Sequence, residues 1–187
     1  MGEIAAIELT ESQMRALDSP LRGLFLKHQE LRVMKKLLRK AGISLHGSVI
    51  MDAGCGSGLG TGFIMEAFSP SRVIAFDYMP EQIALAKQKK LPVDFFVGDM
   101  RHMGVPDASV DAIFGITVLH HIPDWQKAVK EAARMLRKGG VLLIEEPQED
   151  TFGWAAFEAI AQAAGFVILQ RRYSVPFVMR SYLLQKV

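Results

Sequence analysis

Three aspartates, Asp52, Asp77 and Asp99, each end or closely follow a short apolar run: Val49 to Met51, Arg72 to Phe76, and Val93 to Val97. Beyond the first lies Gly54-Cys55-Gly56-Ser57-Gly58. Glycine has no Cβ, so such a loop lets a polar ligand approach backbone N–H groups closely. Gly60 to Phe68 reads as a helix, and a helix N-terminus favours anionic groups. An acid about 20 positions beyond a glycine loop is suited to accept hydrogen bonds from ribose hydroxyls. Together these residue types describe a nucleotide-like cofactor site. The bland alternatives are a ligand-free strand-to-helix turn, a helix-capping Asp77, and a turn acid at Asp99 beside a core Met100.

Proton transfer is the second chemistry on offer. His120 and His121 follow a fourth strand that begins over Asp111 to Gly115, within I-T-V-L-H-H-I-P-D. Imidazole takes up a proton near neutral pH. Ligands of open α/β sheets sit beyond the carboxyl ends of the strands, the side these histidines occupy. Glu145 and Glu146, ending a fifth apolar strand over Val141 to Ile144, are comparable candidates, with loop capping as the alternative. Cys55 is the sole cysteine, which excludes a disulfide within the chain and suits a reducing cytoplasm. Its place in the loop favours a small packing residue over a catalytic thiol.

Helices must position these groups. Pro80 suits the first turn of a helix reaching about Lys90, with Lys87, Lys89 and Lys90 at its negative end. Asp124 is placed to cap a helix over Trp125 to Leu136, which Gly139-Gly140 would end. Another helix, starting at Asp150 or Thr151, closes at Gly165. Phe166 to Tyr173 and Phe177 to Lys186 read as two final strands.

A dinucleotide fingerprint starting at Gly54 requires its third glycine at position 59, which is Leu59. The spelling D-A-G-C-G-S-G after a strand instead resembles motif I of the class I S-adenosylmethionine-dependent methyltransferases, in particular small type 11/25-like domains. The G-D-M, L-H-H and R-K-G-G-V-L-L-I segments follow in that family's order, so the resemblance covers about Gly47 to Val187. It implies S-adenosyl-L-methionine as cofactor and S-adenosyl-L-homocysteine as product. Asp52, Gly54, Cys55, Gly56 and Gly58 would border it on the loop, and Asp77, Tyr78 and Met79 after the second strand. Asp99, Met100, Ile116 and Thr117 complete the implied set. Asp77 would take the ribose, Asp99 the exocyclic amine of adenine, and Met100 would pack on the ring. The L-H-H spelling occurs in relatives with different substrates, which argues for a cofactor-shell or structural role against a general base at His120 or His121.

By the same resemblance the fold is α/β, a three-layer Rossmann-like sandwich. Its mixed seven-stranded sheet would have the order 3-2-1-4-5-7-6, with strand 7 antiparallel. Residues 1–187 are read as one domain, with a helical cover over 1–46 and a cofactor-binding core over 47–187. Met14, Leu17, Leu21, Leu24 and Phe25 form an apolar set suited to cover the crevice.

Half the residues are hydrophobic, yet no apolar run approaches the length needed to cross a bilayer, and Met1 to Ala16 lacks a secretory pattern. No metal-ligand spacing occurs. A net charge of +2 does not announce nucleic-acid binding, although Lys27, Arg32, Lys35, Lys36, Arg39 and Lys40 make one basic helix face. With no dominant basic surface, a small-molecule methyl acceptor leads. RNA or protein methylation comes second, and a non-catalytic cofactor-binding homologue third. Thr117 to His120 reads T-V-L-H rather than an N-P-P-Y type, which argues against a planar-nitrogen acceptor. Nothing in the sequence sets the oligomeric state.

Overall fold

Strands buried on both faces carry near-continuous apolar side chains, and the helices between them supply the covering layers. The computed structural model describes residues 30–147, 152–173 and 179–187. Its elements run α1 (Leu31–Lys40), β1 (Val49–Ala53), α2 (Leu59–Phe68), β2 (Arg72–Asp77), α3 (Pro80–Gln88) and β3 (Asp94–Val97). Then come β4 (Val110–Ile116), a 3-10 turn (Leu119–His121), α4 (Trp125–Met135), β5 (Leu136–Pro147), α5 (Trp154–Ala163), β6 (Phe166–Tyr173) and β7 (Met179–Lys186). The seven-stranded sheet has the order β3-β2-β1-β4-β5-β7-β6. β1 to β5 pair in parallel, and β7 runs antiparallel between β5 and β6. The expected topology is the observed one.

Alternation along the strands divides the core. Ile50, Ala112, Phe114, Leu143 and Leu183 pack with α1 and α2. Met51, Ile113, Leu142 and Tyr182 join the opposite cluster with α4 and α5. α1 is held by Leu31, Met34, Leu37 and Leu38, all buried at helical spacing. The order reverses between β1 and β4, so a crevice opens beyond their carboxyl ends.

Two local expectations are corrected. Gly139-Gly140 does not end α4. The helix stops at Met135, and Leu136 is already extended and paired with Val110 in β4. A left-handed Gly139 (φ 79°) then lets β5 re-enter the sheet, pairing Val141 with Ala112. Asp124 occupies the N-cap position of α4 without capping it, because its carboxylate is taken by Lys127 Nζ at 2.8 Å. The expected cover residues Met14 to Phe25, Lys27 and the proposed helix start at Asp150 or Thr151 lie outside the described residues. Among the described residues no helix is long and apolar enough to cross a membrane.

Candidate functional site

A cavity of about 450 Å³ occupies this crevice, within the range of ~300–1,000 Å³ usual for small-molecule sites. The ends of four strands line it: Asp52 and Gly54 after β1, Asp77 after β2, Asp99 after β3, and Ile116 with Thr117 after β4. Cys55, Gly56, Tyr78, Met79 and Met100 also face it, as do His120 and His121. Of the residues expected to hold the cofactor, Gly58 alone lies outside the lining, and of the candidate bases Glu145 and Glu146 lie outside it. Gly58 is glycine for another reason. Its φ of 79° is left-handed, and a Cβ there would stand 3.1 Å from both Ala86 and Phe95.

Four N–H groups of the loop are used within the protein. Gly54 and Cys55 both donate to the Phe76 carbonyl at 2.9 Å, Gly56 to Asp77 Oδ2 at 2.8 Å, and Gly58 to the Cys55 carbonyl at 3.0 Å. Gly54 serves packing, since a Cβ there would approach Val118 Cγ2 to 2.4 Å. Four acids stand in the lining (Glu30, Asp52, Asp77 and Asp99), with Arg101 paired to Asp99, so the wall formed by Asp52 and Asp77 suits cations and hydroxyl donors.

Burial drives the carboxylate electrostatics. Asp52 is pushed up to about 6, first by burial and further by the charge of Asp77, against the hydrogen bond from Thr61 Oγ1 at 2.6 Å. Asp77 is also raised by burial, although the N–H groups of Gly56 and Met79 partly offset the shift. The N–H bonds at Gly56 and Met79 (2.8 and 2.9 Å) tie the glycine loop to the end of β2. Asp99 is lowered, because Arg101 grips it: Nη2 lies 2.7 Å from Oδ2, and Nε lies 3.0 Å from each oxygen. In this structure the acid expected to face an amine is thus occupied by a guanidinium. Burial pushes the Cys55 thiol far up, which disfavours the thiolate.

The far wall is the turn after β4. Thr117 is left-handed (φ 55°), an uncommon state for a β-branched residue. Its N–H donates to the Glu145 carbonyl at 2.7 Å, and the chain then brings Val118, His120 and His121 to the cavity wall. Beneath the turn, fully buried Glu146 accepts from the N–H groups of Val118 and Leu119 at 2.9 and 2.7 Å. Its other oxygen meets His120 Nδ1 at 2.5 Å. The His121 ring lies 3.9 Å from that of His120, and its pKa is lowered, chiefly by burial. Glu145 points to the opposite sheet face, where Ser181 Oγ donates to it.

Three lining residues with charged or amide side chains escaped the sequence reading. Glu30 precedes α1 and carried no motif. Arg101 was adjacent to a motif but not in it. Gln82 left a signal, since it shares the buried stripe of α3 with Ile83 and Ala86, where an apolar residue is the norm. Its side-chain amide nitrogen is buried at the cavity with no partner among the described residues.

The family described as "Methyltransferase domain" matches residues 51–144. A Mycolicibacterium smegmatis protein named a probable S-adenosylmethionine-dependent methyltransferase is 36% identical over 106 residues, 57% of this chain and 40% of that protein. The trans-aconitate 2-methyltransferase of Azoarcus sp. is 32% identical over 120 residues, 64% of this chain and 47% of that protein. The chain thus spans less than half the length of these curated relatives. A SAM-dependent methyltransferase structure from Aquifex aeolicus superposes with a TM-score of 0.80 at 18% identity, covering 96% of this chain and 100% of that one. The glycine loop after β1, the reversed strand order and the family match over 51–144 place this chain among the class I S-adenosylmethionine-dependent methyltransferases.

Proposed function

We propose that the chain binds S-adenosylmethionine in the cavity beyond β1 and β4 and moves its methyl group to a small-molecule acceptor. The acidic lining of the cavity at the ends of β1 and β2, where Asp52 and Asp77 stand, is the observation that carries this reading. A cofactor bearing positive charge and ribose hydroxyls relieves the burial strain on Asp52 and Asp77, which a phosphate-bearing one would worsen. The unpartnered Gln82 amide fits the same conclusion, since leaving such a donor unmet costs about 1–3 kcal/mol.

When bound, S-adenosylmethionine supplies a methyl carbon already activated by a sulfonium. The chain's task is then to hold, orient and keep water out. Asp77 and Gln82 are assigned to hydroxyl and polar recognition, and Asp52 to the cationic end. Met100, buried to 3% exposure, is assigned to the adenine face. Leu31, Ile122 and Met179 give the acceptor side an apolar wall. The small-molecule choice draws support from the name of the Azoarcus relative, and residence in a reducing cytoplasm from the single cysteine.

Calorimetry is expected to detect binding of S-adenosylmethionine and S-adenosylhomocysteine but not of NAD. Incubation with methyl-labelled cofactor and fractionated cell extract should then label a low-mass fraction. Binding of NAD with no response to either sulfur compound refutes the cofactor assignment. Label appearing only in RNA or protein refutes the acceptor class.

A further inference from the structure

We propose that Glu146 is a positioning residue that fixes His120 as the proton acceptor of this site, and that the methyl acceptor is a hydroxyl. The inference rests on the methyl-transfer reading above and names the acceptor class for it. A carboxylate that merely capped the turn after β4 would need only Oε1, which takes the N–H groups of Val118 and Leu119. Oε2 is aimed instead at His120 Nδ1, 2.5 Å away. Oε1 already accepts from two N–H groups, and with Oε2 accepting as well the hydrogen of the pair is assigned to Nδ1, so that in the neutral ring Nε2 holds a lone pair. Glu146 is fully buried and absent from the lining, whereas His120 is part-exposed and lines the cavity. The free edge of the imidazole is therefore the edge offered to a ligand.

Three of the four lining carboxylates are engaged elsewhere. Asp52 is bonded by Thr61, Asp77 by two backbone N–H groups, and Asp99 by Arg101. His121 lies against His120 on the same turn and its pKa is lowered, chiefly by burial, whereas His120 is the one of the two with a carboxylate partner. Thr117 also fits this reading, because left-handed β-branched residues persist where the surroundings hold them and gather at functional sites. Such an oriented base is superfluous for a carboxylate or thiolate acceptor. It serves a nucleophile that keeps its proton at neutral pH. As the hydroxyl oxygen forms its bond to the methyl carbon, the carbon–sulfur electron pair stays on sulfur. His120 Nε2 takes the hydroxyl proton.

Imidazole ¹⁵N NMR of the full chain with labelled histidine tests the assignment, with His120→Gln identifying the resonance. At neutral pH, His120 is expected to be protonated at Nδ1 and bare at Nε2. Glu146→Gln keeps a carbonyl oxygen for Val118 and Leu119 but turns an amide donor toward Nδ1, so the hydrogen should move to Nε2. Its S-adenosylhomocysteine affinity should stay within about threefold, while labelling of the acceptor fraction falls about 100-fold or more. The labelled product should be an ether that survives mild base. A wild-type His120 protonated at Nε2, an unchanged tautomer in Glu146→Gln or an unchanged rate overturns the role of Glu146. Label released as methanol by mild base, as from a methyl ester, overturns the hydroxyl acceptor. If Glu146→Gln does not fold, the wild-type tautomer and the rate of folded His120→Gln decide. Failure of the wild type to bind S-adenosylhomocysteine would refute the cofactor assignment and leave the tautomer result standing.

Discussion

Replacing Asp52 by asparagine should make the ligand-free protein more stable and the bound one weaker. Burial lifts the Asp52 carboxyl from 3.8 to about 6. That gap corresponds to about 3 kcal/mol of penalty on the charged form. A folded-state pKa above the unfolded one means that the folded protein binds more protons between about pH 4 and pH 6. Wild-type stability therefore falls as pH rises through that window, and the full penalty stands above it. Asparagine carries no charge to desolvate and still offers Thr61 Oγ1 an oxygen where the carboxylate now accepts at 2.6 Å. Exchanging a charged for a neutral acceptor gives back about 1 kcal/mol. The net gain above pH 6 is about 2 kcal/mol, or roughly 4–8 °C in Tm for a chain of this size. Calorimetric melts from pH 4 to pH 8 should show the two proteins converging at the acid end and separating above it. S-adenosylhomocysteine, whose ammonium loses its counter-charge, should bind the variant about tenfold or more weakly, near 1.4 kcal/mol. An Asp52→Asn protein that melts below wild type at pH 8, or a difference that does not change with pH, would refute the electrostatic account.

Asp77→Ala should weaken S-adenosylhomocysteine binding by about 30- to 1,000-fold, or about 2–4 kcal/mol, in calorimetry. It should also lower the Tm, because the Gly56 and Met79 N–H groups lose their acceptor. Asp99→Asn should cost about tenfold in the same affinity, whereas Arg101→Ala, which releases that carboxylate, should preserve or improve it. Equal losses in both variants would assign the Asp99–Arg101 pair to loop structure alone. Neutralising Lys35, Lys36, Arg39 and Lys40 to glutamine should leave labelling of the acceptor fraction within twofold at low and high salt, and a salt-dependent loss would promote RNA as the acceptor.

The sheet was legible because each parallel strand is a short apolar run. The glycine loop and the acids at the strand ends marked where the runs stop. Distant pairings left weaker traces. R-K-G-G reads locally as a helix end, yet Leu136 pairs with Val110 in the structure, and Gly139 absorbs the mismatch with a left-handed turn. Similarly, the spacing of Phe166 to Tyr173 cannot reveal the register shift between Ile168 and Gln170. Beyond that shift, Arg172 pairs with Ser181 and adds its charge to the Lys36 face, where the like charges of Arg172, Lys40, Arg39 and Arg32 help lower the lysine pKa.

At the site, the sequence identified carboxylates but not what each one serves. Residue type and spacing place Asp52, Asp77 and Asp99 at three strand ends, and all three line one cavity. Their partners come from elsewhere: Thr61 from α2, the Gly56 N–H from the loop after β1, and Arg101 from two residues along. These partners decide which charge is strained, which one anchors a loop and which is already neutralised. The glycines divide in the same way. Gly54 and Gly58 are demanded by Val118, Ala86 and Phe95, whereas a Cβ at Gly56 would meet only Gln82 Oε1, at 3.7 Å. A motif read as one ligand cradle is thus two packing contacts and a single open position. That position lies between Asp77, which holds the Gly56 N–H, and the unpartnered amide of Gln82. The glycines thus let the end of β2 and α3 bring Asp77 and Gln82 to one wall of the cavity that Asp52 and Met100 also line.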